Sequence, residues 1–228
     1  MAYSPRETPD YVQLEPTAPA NAAVIWLHGL GANGYDFASV PPELNLPSTL
    51  SVRFIFPHAR QRPVTVNNGI VMPAWYDIQV LGGGLGVEDD AGIRESAGVI
   101  GGYIEREMAA GIASKRIVVI GFSQGGAVAL HTGLRYPQRL AGVAALSSYL
   151  PLRNSLAAEA APANRDVPVL MCHGVYDPVV PAAMGVASRN LLQQLGYAVE
   201  WHTYPMQHSV CMEEIADISR WLQVSIGP

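Results

Sequence analysis

The sequence predicts an α/β fold in which a mostly parallel sheet is covered by helices on both faces. Three observations lead there. Short runs of branched apolar residues, the mark of strands buried on both sides, recur along the chain. They alternate with segments whose apolar residues return every three or four positions, as on one face of a helix. The 228 residues contain no internal repeat, low-complexity linker or long charge block that would divide them, and a chain of this length suits one α/β domain with a sizeable core.

Residues 1–20 are rich in proline and read as an irregular N-terminal arm, with an edge strand around Tyr11-Val12-Gln13-Leu14. The folded domain then occupies 21–228. Ala22-Ala23-Val24-Ile25-Trp26-Leu27 is the first buried strand and Val52-Arg53-Phe54-Ile55-Phe56 the second. Residues 57–90 form a long excursion marked by Pro57, Pro63, Pro73 and the run Gly82-Gly83-Gly84. Connections of that length in a compact domain are usually functional or mobile. Ile93, Ala97, Ile100, Ile104 and Met108 then share one helical face. Strands near 117–121, 142–146 and 168–172 alternate with helical segments near 124–136 and 182–195. A last strand near 198–204 leads to a final helix around 213–224. In open parallel sheets of this kind, sites form beyond the carboxyl ends of the strands.

Gly121-Phe122-Ser123-Gln124-Gly125-Gly126 stands between the strand Arg116–Ile120 and the helical run that starts at Ala127. The bare pattern G-x-S-x-G arises by chance in about one chain in eight of this composition. The strand before it and the helix after it are what make it informative, because a nucleophile elbow needs that context. The turn is tight enough that side chains two before and two after the serine collide, so both positions are glycine. It lifts the Ser123 hydroxyl off the sheet and leaves the Gln124 N–H at a helix N-terminus, where a developing oxyanion can meet it.

A serine hydroxyl is a poor nucleophile until a base takes its proton, and the base needs a third group to orient it. After a nucleophile elbow the expected order is Ser, then Asp or Glu, then His. Asp177 directly follows the strand Val167–Met171, and His208 falls between the last strand and the last helix. Singly, an Asp before a Pro is often a turn residue, and His208 is equally readable as a neighbour of a helix cap. In order and at one edge of the sheet, the three make a triad of Ser123, Asp177 and His208. The other candidates fit less well. His202 lies inside an alternating strand, His131 on the helix behind the elbow and His58 in a proline-rich loop; Asp77 and Asp166 fall outside the order. The glycine-rich bend Leu27-His28-Gly29-Leu30-Gly31 supplies a second oxyanion donor, assigned to the Leu30 N–H; its bland reading is a simple β–α turn.

The histidines and cysteines are isolated and no H-E-x-x-H occurs, so no metal and no cofactor is expected. No G-x-G-x-x-G opens a helix and no Walker A loop is present, which leaves Gly82-Gly83-Gly84 as a flexible loop rather than a phosphate cradle. A net charge of −5 with scattered basic residues argues against nucleic acid as a partner. The first ten residues contain no apolar core of a secretory signal. No apolar run approaches the roughly 20 residues that cross a bilayer. Cys172 and Cys211 then read as free thiols in a cytoplasmic protein. Only 14% of residues are charged, and Ile70-Val71-Met72 with Trp75 makes an apolar segment suited to a homodimer.

These residues resemble the carboxylesterase/phospholipase family of α/β-hydrolases, which includes the acyl-protein thioesterases, and within it small bacterial carboxylesterases. The likeness spans about 22–224. It rests on Leu27-His28-Gly29-Leu30-Gly31, Pro63-Val64-Thr65-Val66-Asn67, Met72-Pro73-Ala74-Trp75-Tyr76-Asp77, the elbow, His173-Gly174 with Asp177, and Met206 with His208. The resemblance implies an α/β-hydrolase fold and a serine esterase acting on short- to medium-chain acyl esters through an acyl-enzyme. Acyl-protein thioesterase or lysophospholipase activity is the alternative, and a binding protein without catalysis the outlying one. It further implies Met72, Trp75 and Val179 at the substrate. One departure is Gln207, where the family usually has Gly before the histidine; a side chain there is expected to narrow the site or shift the His208 loop.

Overall fold

The computed structural model describes residues 3–80 and 88–227; the Gly82-Gly83-Gly84 reading falls outside them. Among the described residues, ten strands and five α-helices follow one another as β1 (Tyr3–Glu7), β2 (Tyr11–Pro16), β3 (Ala22–Leu27), β4 (Val52–Pro57), β5 (Gln61–Val64), β6 (Ile70–Pro73), α1 (Asp90–Ala109), β7 (Ile117–Phe122), α2 (Gln124–Arg135), β8 (Gly142–Leu146), α3 (Leu156–Glu159), β9 (Val169–Gly174), α4 (Ala182–Gln194), β10 (Val199–Tyr204) and α5 (Met212–Ile226). Eight strands form one sheet in the order β1-β2-β4-β3-β7-β8-β9-β10. From β4 to β10 every neighbouring pair is parallel, while β2 runs antiparallel to both β1 and β4.

Alternation along each strand sorts the core into two halves. Ile25, Ile55, Val119, Val143 and Met171 face α1 and α2, where Ile93, Ile100, Ile104 and Leu130 wait. Val24, Trp26, Phe54, Ile120 and Leu170 face α5, which supplies Ile218, Trp221 and Leu222. Strands wrapped on both faces have no polar side to show. That is why Ala22–Leu27 is buried at every position.

Two expectations need correction. Residues 3–20 hold more order than an irregular arm: β2 covers the strand expected around Tyr11–Leu14, and with β1 it forms a hairpin that extends the sheet at its edge. Val12 and Leu14 are buried, which gives β2 a reason to dock, and Pro5 is tolerated because β1 is the outermost strand. The excursion after β4 also contains structure, since β5 and β6 pair as a separate antiparallel ribbon. Strands of four residues, each with a proline, give too short an alternation to be read from sequence.

The chain leaves β3 in one direction to build β4, then returns across it to build β7 and proceeds the other way. The carboxyl ends of β3 and β7 therefore flank a topological switch point, where such sheets open a crevice.

Candidate active site

Ser123 links β7 directly to α2 with φ 54° and ψ −120°, a conformation that costs an ordinary residue about 1–3 kcal/mol. Neighbouring groups hold it there. The Ser123 N–H donates to Leu146 O at 2.8 Å, and its carbonyl accepts from the Ser148 hydroxyl at 2.7 Å and the Gly126 N–H at 3.0 Å. Both glycines are required, for different reasons. A Cβ at Gly121 meets the Gly125 backbone, whereas one at Gly125 lies 2.5 Å from His28 O and 2.7 Å from Leu27 Cβ. The second glycine is needed because the end of β3 passes over the elbow as well.

His208 sits on the turn after β10. Its Nε2 is 2.9 Å from Ser123 Oγ and its Nδ1 2.7 Å from Asp177 Oδ2. A carboxylate can only accept, so Nδ1 carries the proton and Nε2 presents a lone pair to the serine hydroxyl. The other oxygen, Asp177 Oδ1, accepts from the Val179 and Val180 N–H groups at 2.8 and 2.9 Å. The Asp177 side chain has no exposed surface. The Phe122 ring supports the imidazole from the side, with centroids 4.7 Å apart. Three groups far apart in sequence thus meet at one rim. Gln207 is exposed, and His208 beside it keeps both hydrogen bonds.

The turn after β3 lies against the elbow: a Cβ on Gly29 comes 3.5 Å from Ser123 Cβ. Within that turn the Gly31 N–H donates to Pro73 O and the Ala32 N–H to Gly29 O, which leaves the intervening Leu30 N–H aside. The Gln124 N–H is the first of α2 and has no carbonyl in a preceding turn to meet.

Side chains that the sequence did not mark for the purpose hold this arrangement. His28 Nε2 accepts from the Ala59 N–H at 3.0 Å, so Nδ1 is the protonated nitrogen and donates to Gly29 O at 2.7 Å. Burial lowers the His28 pKa to about 4, which keeps the ring neutral. The Gln124 carboxamide accepts from the Trp75 N–H at 2.9 Å and donates to Tyr76 O at 2.7 Å. Ser148 caps the elbow carbonyl, as above. The available signal was a polar residue at the end of a wholly apolar strand.

Of the residues expected at the substrate, Met72 is half-buried with its sulfur beside Gly31, and Val179 is 38% exposed next to Asp177. Trp75 departs from expectation. It is only 2% exposed and its indole N–H donates to His28 O at 2.8 Å. Trp75 borders a cavity of about 400 Å³ with Tyr11, His58, Arg60, Tyr103 and Arg106, to which no triad residue contributes. The indole bond ties Trp75 to the turn after β3. The histidines set aside earlier are engaged elsewhere: His202 with Glu200, and His58 with the Gly34 N–H.

An eight-stranded sheet with its serine on a strand-to-helix elbow, backed by histidine and aspartate in that order, defines a serine hydrolase of the α/β-hydrolase fold. Comparison with known proteins narrows this. A model of the Phospholipase/Carboxylesterase family matches residues 11–226, and the chain belongs to that family. Acyl-protein thioesterase 1 of Gibberella zeae is 42% identical over 215 residues, which cover 91% of this chain and 92% of that one. The crystal structure of Zea mays acyl-protein thioesterase 2 superposes with a TM-score of 0.85 at 30% identity, covering 95% of this chain and 99% of that one. Arabidopsis thaliana SOBER1 gives a TM-score of 0.86 at 31% identity, covering 91% and 100%.

Proposed function

We propose that this chain hydrolyses short- to medium-chain acyl esters through an acyl-enzyme, with Ser123 as nucleophile, His208 as base and Asp177 as its orienter. The observation that carries the reading is the unbroken relay from Asp177 through His208 to Ser123, at 2.7 and 2.9 Å. Ser123 attacks the carbonyl carbon while His208 Nε2 takes its proton. The Leu30 and Gln124 N–H groups receive the negative charge on the carbonyl oxygen; losing one such donor typically costs about 3 kcal/mol of transition-state stabilisation. The imidazolium then protonates the leaving alcohol, and water, activated by the same ring, releases the acid. No cofactor enters these steps. Replacing Ser123 by Ala abolishes p-nitrophenyl butyrate turnover and fluorophosphonate labelling on this reading; an unchanged rate removes Ser123 from the mechanism. Labelling also separates the enzyme from a binding protein that merely keeps the fold.

A thioester substrate is the second reading, favoured by relatives at about 42% identity that carry the name acyl-protein thioesterase 1. An acyl-chain series measured on matched esters and thioesters decides between them. The same reading includes a cytoplasmic location. Among the described residues no helix is long and apolar enough to cross a membrane. It includes a homodimer as well: Ile70 and Val71 on β6 are 59% and 61% exposed, and a monomeric mass in light scattering at micromolar concentration removes that element.

A further inference from the structure

Asp177 is held by two N–H groups of the turn that follows it, so the relay is only as well aimed as that turn. The turn in its own right is held from beneath. His173, the penultimate residue of β9, is fully buried, and its Nε2 lies 2.8 Å from Val180 O. A carbonyl accepts only, so Nε2 carries the hydrogen and Nδ1 the lone pair. Val180 is thereby fixed at both polar atoms, its N–H on Asp177 Oδ1 and its carbonyl on His173. The same Nε2 is 3.7 Å from Asp177 Oδ2, the oxygen that faces His208.

We propose that His173 is a positioning residue for the triad: as a neutral imidazole with its hydrogen on Nε2, it clamps the 177–180 turn so that Asp177 Oδ2 is directed at His208.

The surroundings enforce one ring orientation and one tautomer. A Cβ on Gly185 lies 2.6 Å from His173 Nδ1, so α4 sits directly on the ring. The Trp201 indole stacks on it at 6.0 Å and 28°. Nδ1 has no hydrogen-bond partner among the described residues, so a proton there is a buried donor without an acceptor. The titratable neighbours are Asp177 and His208, and Arg189 lies on the Trp201 ring, 5.2 Å from its centroid. Burial outweighs the Asp177 charge and lowers the His173 pKa. The inference rests on the triad reading and concerns what keeps that triad aligned.

Glutamine and methionine at 173 separate the clamp from packing. Glutamine places an amide N–H close to the imidazole Nε2 position; methionine has a similar length and no donor. On p-nitrophenyl butyrate, His173→Met lowers kcat by about 10- to 100-fold, the penalty of a catalytic group displaced by about an ångström, and changes KM less than about threefold. A loosened Asp177 stabilises the His208 imidazolium less, so the acid limb of kcat/KM moves to lower pH. His173→Gln restores both kcat and the limb. Equal activity of the two variants at equal folded content overturns the proposal, whatever its level. For variants that do not fold, the wild-type protein supplies the test. Long-range ¹H–¹⁵N correlation of its imidazoles between pH 5.5 and 8 shows a neutral Nε2–H pattern for His173, and an Nδ1–H tautomer or a titrating ring overturns the assignment. Loss of turnover in Ser123→Ala is read separately, so the triad and the clamp fail or stand independently.

Discussion

Glu214 is fully buried in the first turn of α5, and its two carboxyl oxygens have no hydrogen-bond partner of good geometry among the described residues. Desolvation raises its pKa from 4.5 to about 8, offset in part by the Cys211 N–H and the Cys172 thiol. The sign follows from linkage. Between those two values the folded protein keeps a proton that the unfolded chain releases, so the unfolded state gains as pH rises. The stability that Glu214 permits is fully present below about pH 4.5 and is lost progressively up to about pH 8. At about 1.4 kcal/mol per unit the full span is roughly 5 kcal/mol, an upper figure because water entering beside α5 relieves part of it. Glu214→Gln cannot ionise and lacks this slope. Between pH 5 and 8 it therefore gains about 3–4 kcal/mol on the wild type, or roughly 10 °C in Tm for a chain of this size. At pH 5 the two proteins differ least, because the wild-type carboxyl is neutral there as well. Thermal unfolding of both proteins at the two pH values is the assay, and the double difference cancels every other titrating group. Equal Tm differences at pH 5 and pH 8 refute a buried, protonated Glu214.

Gly125→Ala drives a methyl group into the end of β3; overpacking of this kind costs about 1–3 kcal/mol of stability and displaces the oxyanion turn, lowering kcat by about 100-fold or more, and wild-type kcat in a folded variant contradicts the reading. Arg53 bridges Glu15 and Glu107, whose side chain is 2% exposed. Arg53→Met leaves Glu107 with Arg106 alone and destabilises by about 3 kcal/mol in urea titration; a change below 1 kcal/mol shows that Arg106 suffices. His131 is buried with its pKa lowered to about 4 by desolvation and by Arg135. A depressed histidine favours the folded state above about pH 6.5, and that advantage is lost as pH falls toward 4. His131→Leu accordingly reduces the stability loss between pH 7 and pH 4.5 by about 1–2 kcal/mol, and an unchanged acid slope refutes it.

The parts of this protein legible in the sequence are those whose environment is uniform along the chain. β3, β7, β8 and β9 are apolar on both faces, so their composition alone marks them. The elbow was legible because its steric demand falls on fixed neighbours, and the triad because its order follows the order of strands. β1, β5 and β6 were not legible. Each is short, edge-bound or interrupted by proline, and each owes its pairing to a partner the local sequence does not name. The bonds of His28, Gln124, Trp75 and Ser148 stayed hidden for a related reason. Trp75 and Gln124 meet across 49 positions, and nothing in either segment specifies the other.

Those hidden bonds bear on how the proposed oxyanion donors, the Leu30 and Gln124 N–H groups, are set. Neither donor uses its side chain, so each peptide plane is aimed by what binds the atoms around it. In a trans peptide the carbonyl and the next N–H point in opposite directions. His28 Nδ1–H on Gly29 O therefore fixes where the Leu30 N–H points. The same histidine is gripped by the Ala59 N–H at Nε2, and its carbonyl accepts from the Trp75 indole. Trp75 in turn is bonded to the side chain of Gln124, whose own N–H is the second donor. The two donors thus share one buried polar support running from β3 through Trp75 to α2. Substitutions at His28, Trp75 and Gln124 disturb one network, and their effects on kcat fall short of the sum of the three measured singly.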